Sequence, residues 1–378
     1  MVVAGNFRAI HPVMPTVAPG ASAPSLPPAK PIVTPTTAAP SVVPSVQASA
    51  RTVIVGPAGP DGPTGGGGGG AIPTGPAATA TPPPHVIVVA TPVTSLPPVV
   101  VPVAPAPGST IGARILMVSN ASGNQEIYSA DPTGANPTLV TTDSSNDIFP
   151  SFSGDRRLIT WCSDRGANIY AIYTAWADGS HVLRLTFGTL ANTQPVFSPD
   201  GSKIAYVRWT GAGTSVIAVM NRDGTNQVAV TPDGGQAFSP AWSPDGAQLL
   251  FGSNHATPGI PVLYRMPAAG GTLTALTQVN GADYPIGKTA WSPDGTRIAF
   301  AANIANRGLG ITLINADGTN RTELSHNNDT DPVWSPDGTS LLFTTLATGS
   351  SQLARMNANG TGVAVLTSGP FTYAQASW

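Results

Sequence analysis

The stretch Phe197-Ser198-Pro199-Asp200-Gly201, followed by Lys203-Ile204-Ala205-Tyr206, decides the fold of this chain. It recurs downstream with tryptophan in place of phenylalanine, at Trp242, Trp291 and Trp334. A weaker copy begins at Phe152, and the chain ends on Trp378, which opens one more copy. The steps from aromatic to aromatic are 45, 45, 49, 43 and 44 residues. A fixed period of about 40–45 residues is typical of a four-stranded propeller blade.

Each repeat predicts the same order of strands and turns. An opening strand ends in the aromatic residue, Ser-Pro-Asp-Gly makes a turn, two further strands follow, and a fourth strand closes on Leu-Thr. The first repeat, from Arg114, lacks its opening strand, whereas Phe371–Trp378 is an opening strand without the rest of its blade. The sequence therefore predicts an all-β, six-bladed propeller over residues 111–378, with the C-terminal strand as the innermost strand of the first blade.

Residues 1–110 have a different composition. They contain 24 of the 40 prolines and the glycine run Gly65–Gly70, so neither a helix nor a central strand can pass through them. Three short stretches nevertheless favour β structure: Thr52–Val55, His85–Ala90 and Val99–Val101. Two interpretations remain open for this extended or disordered tail. It is a plain spacer, or it is an assembly arm that adds a strand to an exposed sheet edge.

Composition limits the partners and the compartment. The net charge is −2 and only 10% of the residues are charged, without a basic stripe, so nucleic acid is not an expected partner. The longest apolar run in the tail, Val86–Ala90, is too short to span a membrane. The first twenty residues do not read as a signal peptide. The low charge and the many Thr, Ser and Asn residues favour an extracellular or periplasmic location.

The repeated polar and aromatic residues have a structural explanation and a functional one. Pro, Asp and Gly are the residues that a tight turn needs, and the alternative, calcium binding, would require six or more converging oxygens. The aromatic residue is expected to fill the wedge between neighbouring sheets, the alternative being a sugar-stacking ring. The sole cysteine, Cys162, is expected to be a buried core residue, so no disulfide forms within the chain.

No known catalytic motif is present in the sequence. It contains neither Gly-x-Ser-x-Gly nor His-Glu-x-x-His, and its only glutamates are Glu126 and Glu323. We therefore expect a protein that is not an enzyme, with no catalytic residues, no cofactor and no metal. A hydrolase or lyase that uses the channel is the remaining enzymatic alternative.

Four stretches resemble the TolB-type β-propeller repeat, a WD40-like repeat also called PD40: Pro195–Tyr206, Pro240–Phe251, Ala290–Phe300 and Pro332–Phe343. Ile127-Tyr128 and Ile169-Tyr170 match its third-strand signal, and the resemblance covers residues 113–378. It implies the propeller fold and a periplasmic scaffold whose channel mouth receives a partner peptide. TolB carries an α/β domain before its propeller, whereas this chain has the proline-rich tail there.

The residues five positions before each aromatic should ring one mouth of the central channel, because they precede the innermost strands. The candidate partner-binding residues are Asp147, Asn192, Asp329, the nearby Asp331, and Tyr373. The alternative is that these polar side chains only cap turns.

These observations predict a non-enzymatic scaffold at the cell envelope or outside the cell, which binds a protein or peptide at one propeller face. The alternative is a structural subunit of an extracellular assembly or filament, in which residues 1–110 associate with neighbouring copies by strand addition.

Overall fold

A computed structural model describes residues 113–166, 169–211, 213–278, 285–304 and 308–378. In these ranges the chain forms 24 strands, arranged in six four-stranded antiparallel sheets. The sheets, which we call blades 1 to 6 in chain order, make a six-bladed β-propeller, and the predicted fold class is confirmed. The predicted tail, residues 1–110, lies outside the described residues.

Each blade runs from an innermost strand at the central channel to a two-residue strand at the rim. In blade order the innermost strands are β24 (Tyr373–Ser377), β4 (Asp147–Phe152), β8 (Asn192–Phe197), β12 (Ala237–Trp242), β16 (Pro285–Trp291) and β20 (Thr330–Trp334). The second strands are β1 (Ile115–Ser119), β5 (Leu158–Ser163), β9 (Lys203–Gly211), β13 (Gln248–Ser253), β17 (Arg297–Ile304) and β21 (Ser340–Thr345).

The outer half of each blade has the same layout. The third strands are β2 (Glu126–Ala130), β6 (Ala171–Trp176), β10 (Thr214–Asn221), β14 (Val262–Pro267), β18 (Gly308–Asn315) and β22 (Gln352–Asn357). The outermost strands are β3 (Thr138–Leu139), β7 (Leu183–Arg184), β11 (Val228–Ala229), β15 (Thr274–Ala275), β19 (Thr322–Glu323) and β23 (Ala364–Val365).

The ring closes within blade 1, whose strands come from both ends of the propeller. The C-terminal strand β24 pairs with β1, so that Leu116 lies opposite Ser377 and Ser119 lies opposite Tyr373. The backbone N–H of Thr372 donates to the side chain of Asn120 at 2.9 Å. The closure predicted from the incomplete first repeat is confirmed, and it leaves only short strand edges at the rim.

Six buried apolar clusters hold the ring together, and each joins consecutive blades. The recurring aromatic side chain of each blade packs into the cluster shared with the preceding blade: Phe152, Phe197, Trp242, Trp291, Trp334 and Trp378. Burial of one side chain of this size contributes about 1.5–3 kcal/mol. The aromatic residues are therefore wedges between blades, as the repeat predicted. Cys162 is buried in the cluster of blades 2 and 3.

The Ser-Pro-Asp-Gly turns are stabilised by their own side chains. Ser198 Oγ donates to Asp200 Oδ1 at 2.5 Å, and the same carboxylate oxygen accepts the N–H of Ser202 at 3.0 Å. Such bonds, led by the serine hydroxyl, lower the pKa of Asp200, Asp294 and Asp337 to about 2. Because each carboxylate is bonded within the turn of a separate blade, turn geometry explains the repeated aspartates.

A hydroxyl two residues after each outermost strand accepts a backbone N–H of the third strand. The N–H of Ile127 donates to Thr141 Oγ1 at 2.9 Å, and the N–H of Ile172 donates to Thr186 Oγ1 at 2.8 Å. The equivalent of Ile127-Tyr128 in blade 2 is therefore Ile172-Tyr173. The sequence match to Ile169-Tyr170 was wrong by three residues, because the N–H that faces the threonine belongs to Ile172.

The glycine of the second turn lies at a close approach between neighbouring blades. Gly179 has a φ of +85°, and a Cβ at this position would overlap the carbonyl oxygen of Val140 in blade 1. The same approach recurs at Gly318, where a Cβ would lie 2.7 Å from the Leu276 carbonyl oxygen of the preceding blade. The sequence explained these glycines by turn conformation alone, whereas the contact between blades adds a second requirement.

We expect Gly179→Ala to destabilise the propeller more than Gly123→Ala. Both glycines have positive φ, which costs an alanine about 1–2 kcal/mol, but Gly123 has open space around its Cβ position. The overlap with Val140 should add about 1–3 kcal/mol. Denaturant unfolding of the two variants measures the difference, and equal losses of stability would contradict the close approach.

Candidate functional site

A β-bulge interrupts every innermost strand three or four residues before its aromatic residue. Five non-glycine residues there adopt φ values of 52–56°: Phe149, Gln194, Ser239, Asp331 and Gln375. In blade 5, Gly287 has this conformation at 69°, and Lys288 follows it. The pairing with the second strand shifts its register at the same points. Bulges re-aim side chains and are frequent at functional sites, which makes the channel the first candidate.

Side chains of the bulges bond to neighbouring bulges across blade boundaries. Gln375 Oε1 accepts the N–H of Phe149 at 2.9 Å, and Gln194 Oε1 accepts the N–H of Ser239 at 2.7 Å. Asp331 Oδ1 accepts the N–H of Lys288 at 2.9 Å. We call the six residues Phe149, Gln194, Ser239, Lys288, Asp331 and Gln375 the bulge ring. Its bonds link blades 1 and 2, 3 and 4, and 5 and 6.

The side chain of Lys288 reaches across the channel. It starts in blade 5, and its ammonium donates to the carbonyl oxygens of Gln375 (3.1 Å) and Ala376 (3.0 Å) in blade 1. A third, longer bond of 3.4 Å runs to the carbonyl oxygen of Pro150 in blade 2. All three ammonium donors are therefore used. The lysine thus holds the closing strand β24 from blade 5, two positions away in the ring.

Burial lowers the pKa of Lys288 to about 8, although the Asp331 carboxylate opposes this shift. The side chain keeps some accessible surface, and the residue lines the channel cavity described below. Protein surrounds it on the other sides, so the charged form loses most of its hydration. The centre of the channel therefore holds a cation that costs free energy to bury.

We name the two ends of the channel by the segments that surround them. The innermost strands begin at the loop end and run to the turn end, where the Ser-Pro-Asp-Gly turns lie. A cavity of about 270 Å³ extends from the bulge ring toward the turn end. Its walls are mainly apolar and include Pro150, Pro195, Pro240, Pro332 and Trp242. Lys288 is the cationic residue at its inner end.

At the loop end, acidic side chains cluster around Arg165. Asp147, which is 0% exposed, and the more exposed Asp143 each place a carboxylate oxygen 2.6 Å from the Arg165 guanidinium. Burial nevertheless raises the pKa of Asp147. Burial also raises the pKa of nearby Glu126, whose carboxylate accepts hydrogen bonds from Thr141 and Asn124. The other oxygen of Asp147, Oδ1, has no hydrogen-bond partner among the described residues.

The remaining sequence-predicted residues lie at different depths. Asn192 and Asp329 are buried at the loop end, where their strands begin, and Tyr373 is half-buried. Asp329 Oδ1, like Asp147 Oδ1, lacks a partner among the described residues. Asp331 lies deeper, in the bulge ring beside Lys288. The structure thus brings Asp331 and Lys288 together, whereas it ties Asp147 to Arg165.

Exposed apolar side chains lie on the connector that leads to the loop end of blade 3. Phe187 is 63% exposed and Leu190 is 48% exposed, both between β7 and β8. The guanidinium of Arg184 lies 5.1 Å from the centre of the Phe187 ring. On the same side of the propeller, Leu346 between β21 and β22 is also exposed. Exposed aromatic and arginine side chains are the residue types that protein interfaces favour.

Sequence reasoning missed Lys288, Arg165 and Phe187. Two signals for Lys288 were available. The step from Trp242 to Trp291 is longer than the others, at 49 residues, and blade 5 carries Gly287-Lys288-Thr289 where four other blades have proline two residues before the aromatic. Nothing in the sequence shows that the ammonium crosses the channel to blades 1 and 2. Arg165 and Phe187 lie in connectors that differ between repeats, so the repeat pattern carries no information about them.

Two further observations describe the chemistry of the resolved propeller. In residues 113–378, apart from the undescribed gaps, no group of three or more His, Cys, Asp or Glu side chains is placed to hold a metal. The same part of the chain contains no helix of the length and hydropathy needed to cross a bilayer.

The fold and the channel define a six-bladed β-propeller with a plugged centre and two separate mouths. The family described as the TolB beta propeller domain, PD40, matches residues 95–282 and 277–378. The chain therefore belongs to the PD40 family of TolB-type β-propellers.

Solved structures with this fold come from several proteins. TolB from Acinetobacter baumannii is 22% identical, with a TM-score of 0.61 over 70% of this chain and 66% of that one. A candidate TolB from Agrobacterium tumefaciens is 20% identical (TM-score 0.54, 67% and 88% coverage). A chain of a nidogen/laminin complex is 13% identical (TM-score 0.56, 70% and 97%). No curated protein sequence matches significantly. At these identities the structures show a shared fold.

We expect the buried charge of Lys288 to make stability depend on pH. Its pKa is about 8 in the fold and about 10.4 in an unfolded chain. The unfolded state therefore binds more protons at Lys288 between these values, and the contribution of this residue to stability should rise with pH from 8 to about 10.4. Lys288→Met lacks this contribution. Urea unfolding at pH 7.5 and 9.5 measures both proteins, and equal pH dependence would contradict a buried ammonium.

Proposed function

We propose that this propeller is a non-enzymatic scaffold, at the cell envelope or outside the cell, which binds a protein or peptide at its loop end. The observation that carries the proposal is the exposed pair Phe187 and Leu190 on the connector that leads to the innermost strand of blade 3. Large apolar side chains lose contact with water when a partner covers them, which supplies the main free energy of association.

The surrounding groups add specificity to this surface. Arg184 stacks on Phe187, and the Arg165 cluster places a partly exposed guanidinium between two carboxylates. Arginine and aromatic residues at the centre of an interface contribute most of its binding energy. The proposed contact surface consists of Phe187, Leu190 and Arg165, with Asp147, Asn192, Asp329, Asp331 and Tyr373 as the predicted residues of the channel mouth behind it.

Family membership supports a scaffold, because the resemblance to the TolB-type repeat implies a periplasmic scaffold. One structure with the same fold is a nidogen/laminin complex, so a protein complex is among the assemblies that contain this fold. A propeller fold hosts many functions, so the argument for this chain rests on its own surface. The periplasm or the cell exterior is the proposed location, in keeping with the low charge of the sequence.

The test compares two pairs of exposed apolar residues on the full-length protein. Phe187→Ser with Leu190→Ser alters the loop end, whereas Val363→Ser with Val365→Ser alters the rim of blade 6 and serves as the control. Surface changes of this kind shift stability by about 0.5 kcal/mol or less. Envelope extracts are crosslinked to each protein, and the captured partners are quantified by mass spectrometry.

We expect at least a tenfold loss of the specific partner with the Phe187/Leu190 variant and no loss with the control variant. Equal capture by both variants would show that the loop end is not the binding face. The additional single variants Asp147→Asn and Asp329→Asn test the predicted mouth residues while keeping side-chain size.

A second candidate, a structural subunit of an extracellular assembly, is favoured by the rim. Each outermost strand has only two residues and has a neighbour on its inner side only. Exposed apolar side chains occur there at Leu139, Val228, Val363 and Val365. An open strand edge can accept another strand, and the β-prone stretches within residues 1–110 have the composition to supply one.

Removal of residues 1–110 separates the two candidates. If the assembly function is right, the full-length protein forms polymers and the 111–378 fragment elutes as a folded monomer. Light scattering measures the particle size, and circular dichroism confirms the fold. Polymers of the fragment, or a monomeric full-length protein across the accessible concentration range, would rule out tail-mediated assembly.

A further inference from the structure

The ammonium of Lys288 is a buried cation without an ion-pair partner. Among the described residues no carboxylate oxygen lies within 4.0 Å of its Nζ atom. The closest acidic residue in the ring, Asp331, uses Oδ1 to accept the backbone N–H of Lys288 instead. The three carbonyl oxygens around Nζ carry only partial charges. Buried charges in proteins are normally paired, so this arrangement is unusual.

The cation borders a cavity that has room for a small molecule. The volume of about 270 Å³ is near the lower limit for ligand pockets. Its walls are proline, valine, alanine and aromatic side chains, among them Val196, Val333 and Trp291. Apolar walls around one charged group are the usual composition of a small-molecule site.

We propose that the turn end of the channel binds a small carboxylate with an apolar body, its carboxylate bonded to the ammonium of Lys288 and its body packed against the proline-lined wall. The ligand is a free carboxylic acid or the C-terminal carboxylate of a peptide, which share this chemistry. The site is at the opposite end of the channel from the proposed protein-binding face and does not depend on that proposal.

The ligand carboxylate would bind by replacing one of the three hydrogen bonds that the Lys288 ammonium donates. The bond from Lys288 to Pro150 is the longest of the three, at 3.4 Å, so it is the one that a carboxylate oxygen would replace. A hydrogen bond between an ammonium and a carboxylate is about twice as strong as one to a neutral acceptor. The two shorter bonds to blade 1 stay in place, so the closing strand keeps its contact.

The other charged and titratable groups near the site set the conditions of the test. Asp331 on β20 faces Lys288, and Cys162 on β5 is buried with a raised pKa that keeps its thiol neutral. β24, β4, β8 and β12 contribute only uncharged bulge residues. The turn aspartates, such as Asp200, lie at the turn-end face but do not line the cavity. They oppose the approach of an anion, and physiological salt screens them beyond about 8 Å.

Binding and protonation of Lys288 are linked. A carboxylate favours the charged lysine, so affinity should be constant below pH 8 and should fall up to tenfold per pH unit above it. The titration of Lys288 itself supplies this change. This dependence is a readout that simple filling of an apolar cavity would not produce.

The experiment measures calorimetric binding of benzoate and of benzamide, its neutral counterpart, to the full-length protein in 150 mM salt. We expect benzoate to bind at least tenfold more tightly than benzamide at pH 7, and Lys288→Met to remove this preference. Lys203→Met, which changes an exposed lysine, is the matched control and should leave binding unchanged. Circular dichroism verifies that each variant is folded.

A second arm distinguishes the two ligand sources and keeps the test valid if Lys288→Met does not fold. N-acetyl-Ala-Pro is compared with its C-terminal amide, and wild-type affinity for benzoate is measured from pH 6.5 to 9.5. Preference for the peptide acid indicates a peptide terminus, and preference for benzoate indicates a free acid. Equal binding of acid and amide, affinity independent of pH, or no binding at all would overturn the proposal.

Discussion

The wedge-shaped space between neighbouring sheets is the constraint on which this structure depends. Each blade fills that space with one aromatic side chain packed against the blade before it, so every blade needs a neighbouring blade on each side. The last interface, between blades 6 and 1, forms only because the C-terminal strand lies beside β1. Without it, Met117 and Leu342 would be exposed on two open sheet faces. Closure therefore makes the local repeats into one cooperative structure.

Closure also brings six innermost strands together around a narrow channel. Their bulges place uncharged side chains, one aspartate and one lysine in a ring, and the lysine spans the opening. A cation at this depth is unfavourable in itself, yet it bonds to the strand that closes the ring. The same residue separates the acidic loop end from the apolar turn end, so the two mouths present different chemistry.

These two mouths are the basis for assigning function to a fold that serves many proteins. The loop end combines exposed Phe187 and Leu190 with the Arg165 cluster, which suits a protein surface. The turn end is a small apolar cavity with one charge, which suits a small ligand. Family membership gives the architecture, and the differences between connectors give this chain its own contacts.

The sequence by itself determined the number of blades, the order of strands and the turn chemistry. These features depend on residues close together in the chain: Ser198 bonds to Asp200, and the aromatic residue lies beside its own turn. The closing strand was also predictable, because the first and last repeats are incomplete in complementary ways. The third-strand match in blade 2 was misplaced by three residues, since two similar Ile-Tyr pairs differ only in which N–H meets Thr186.

The tertiary structure alone decided the contacts across the channel and between blades. Lys288 meets carbonyl groups that are 138 and 87 residues away in sequence, and no local pattern encodes that distance. The depth of Asp147, the exposure of Phe187 and the space at Gly179 likewise depend on how neighbouring blades are placed. A repeat specifies what each blade is, whereas the non-local packing of six blades decides which side chains meet at the centre and which stay at the surface.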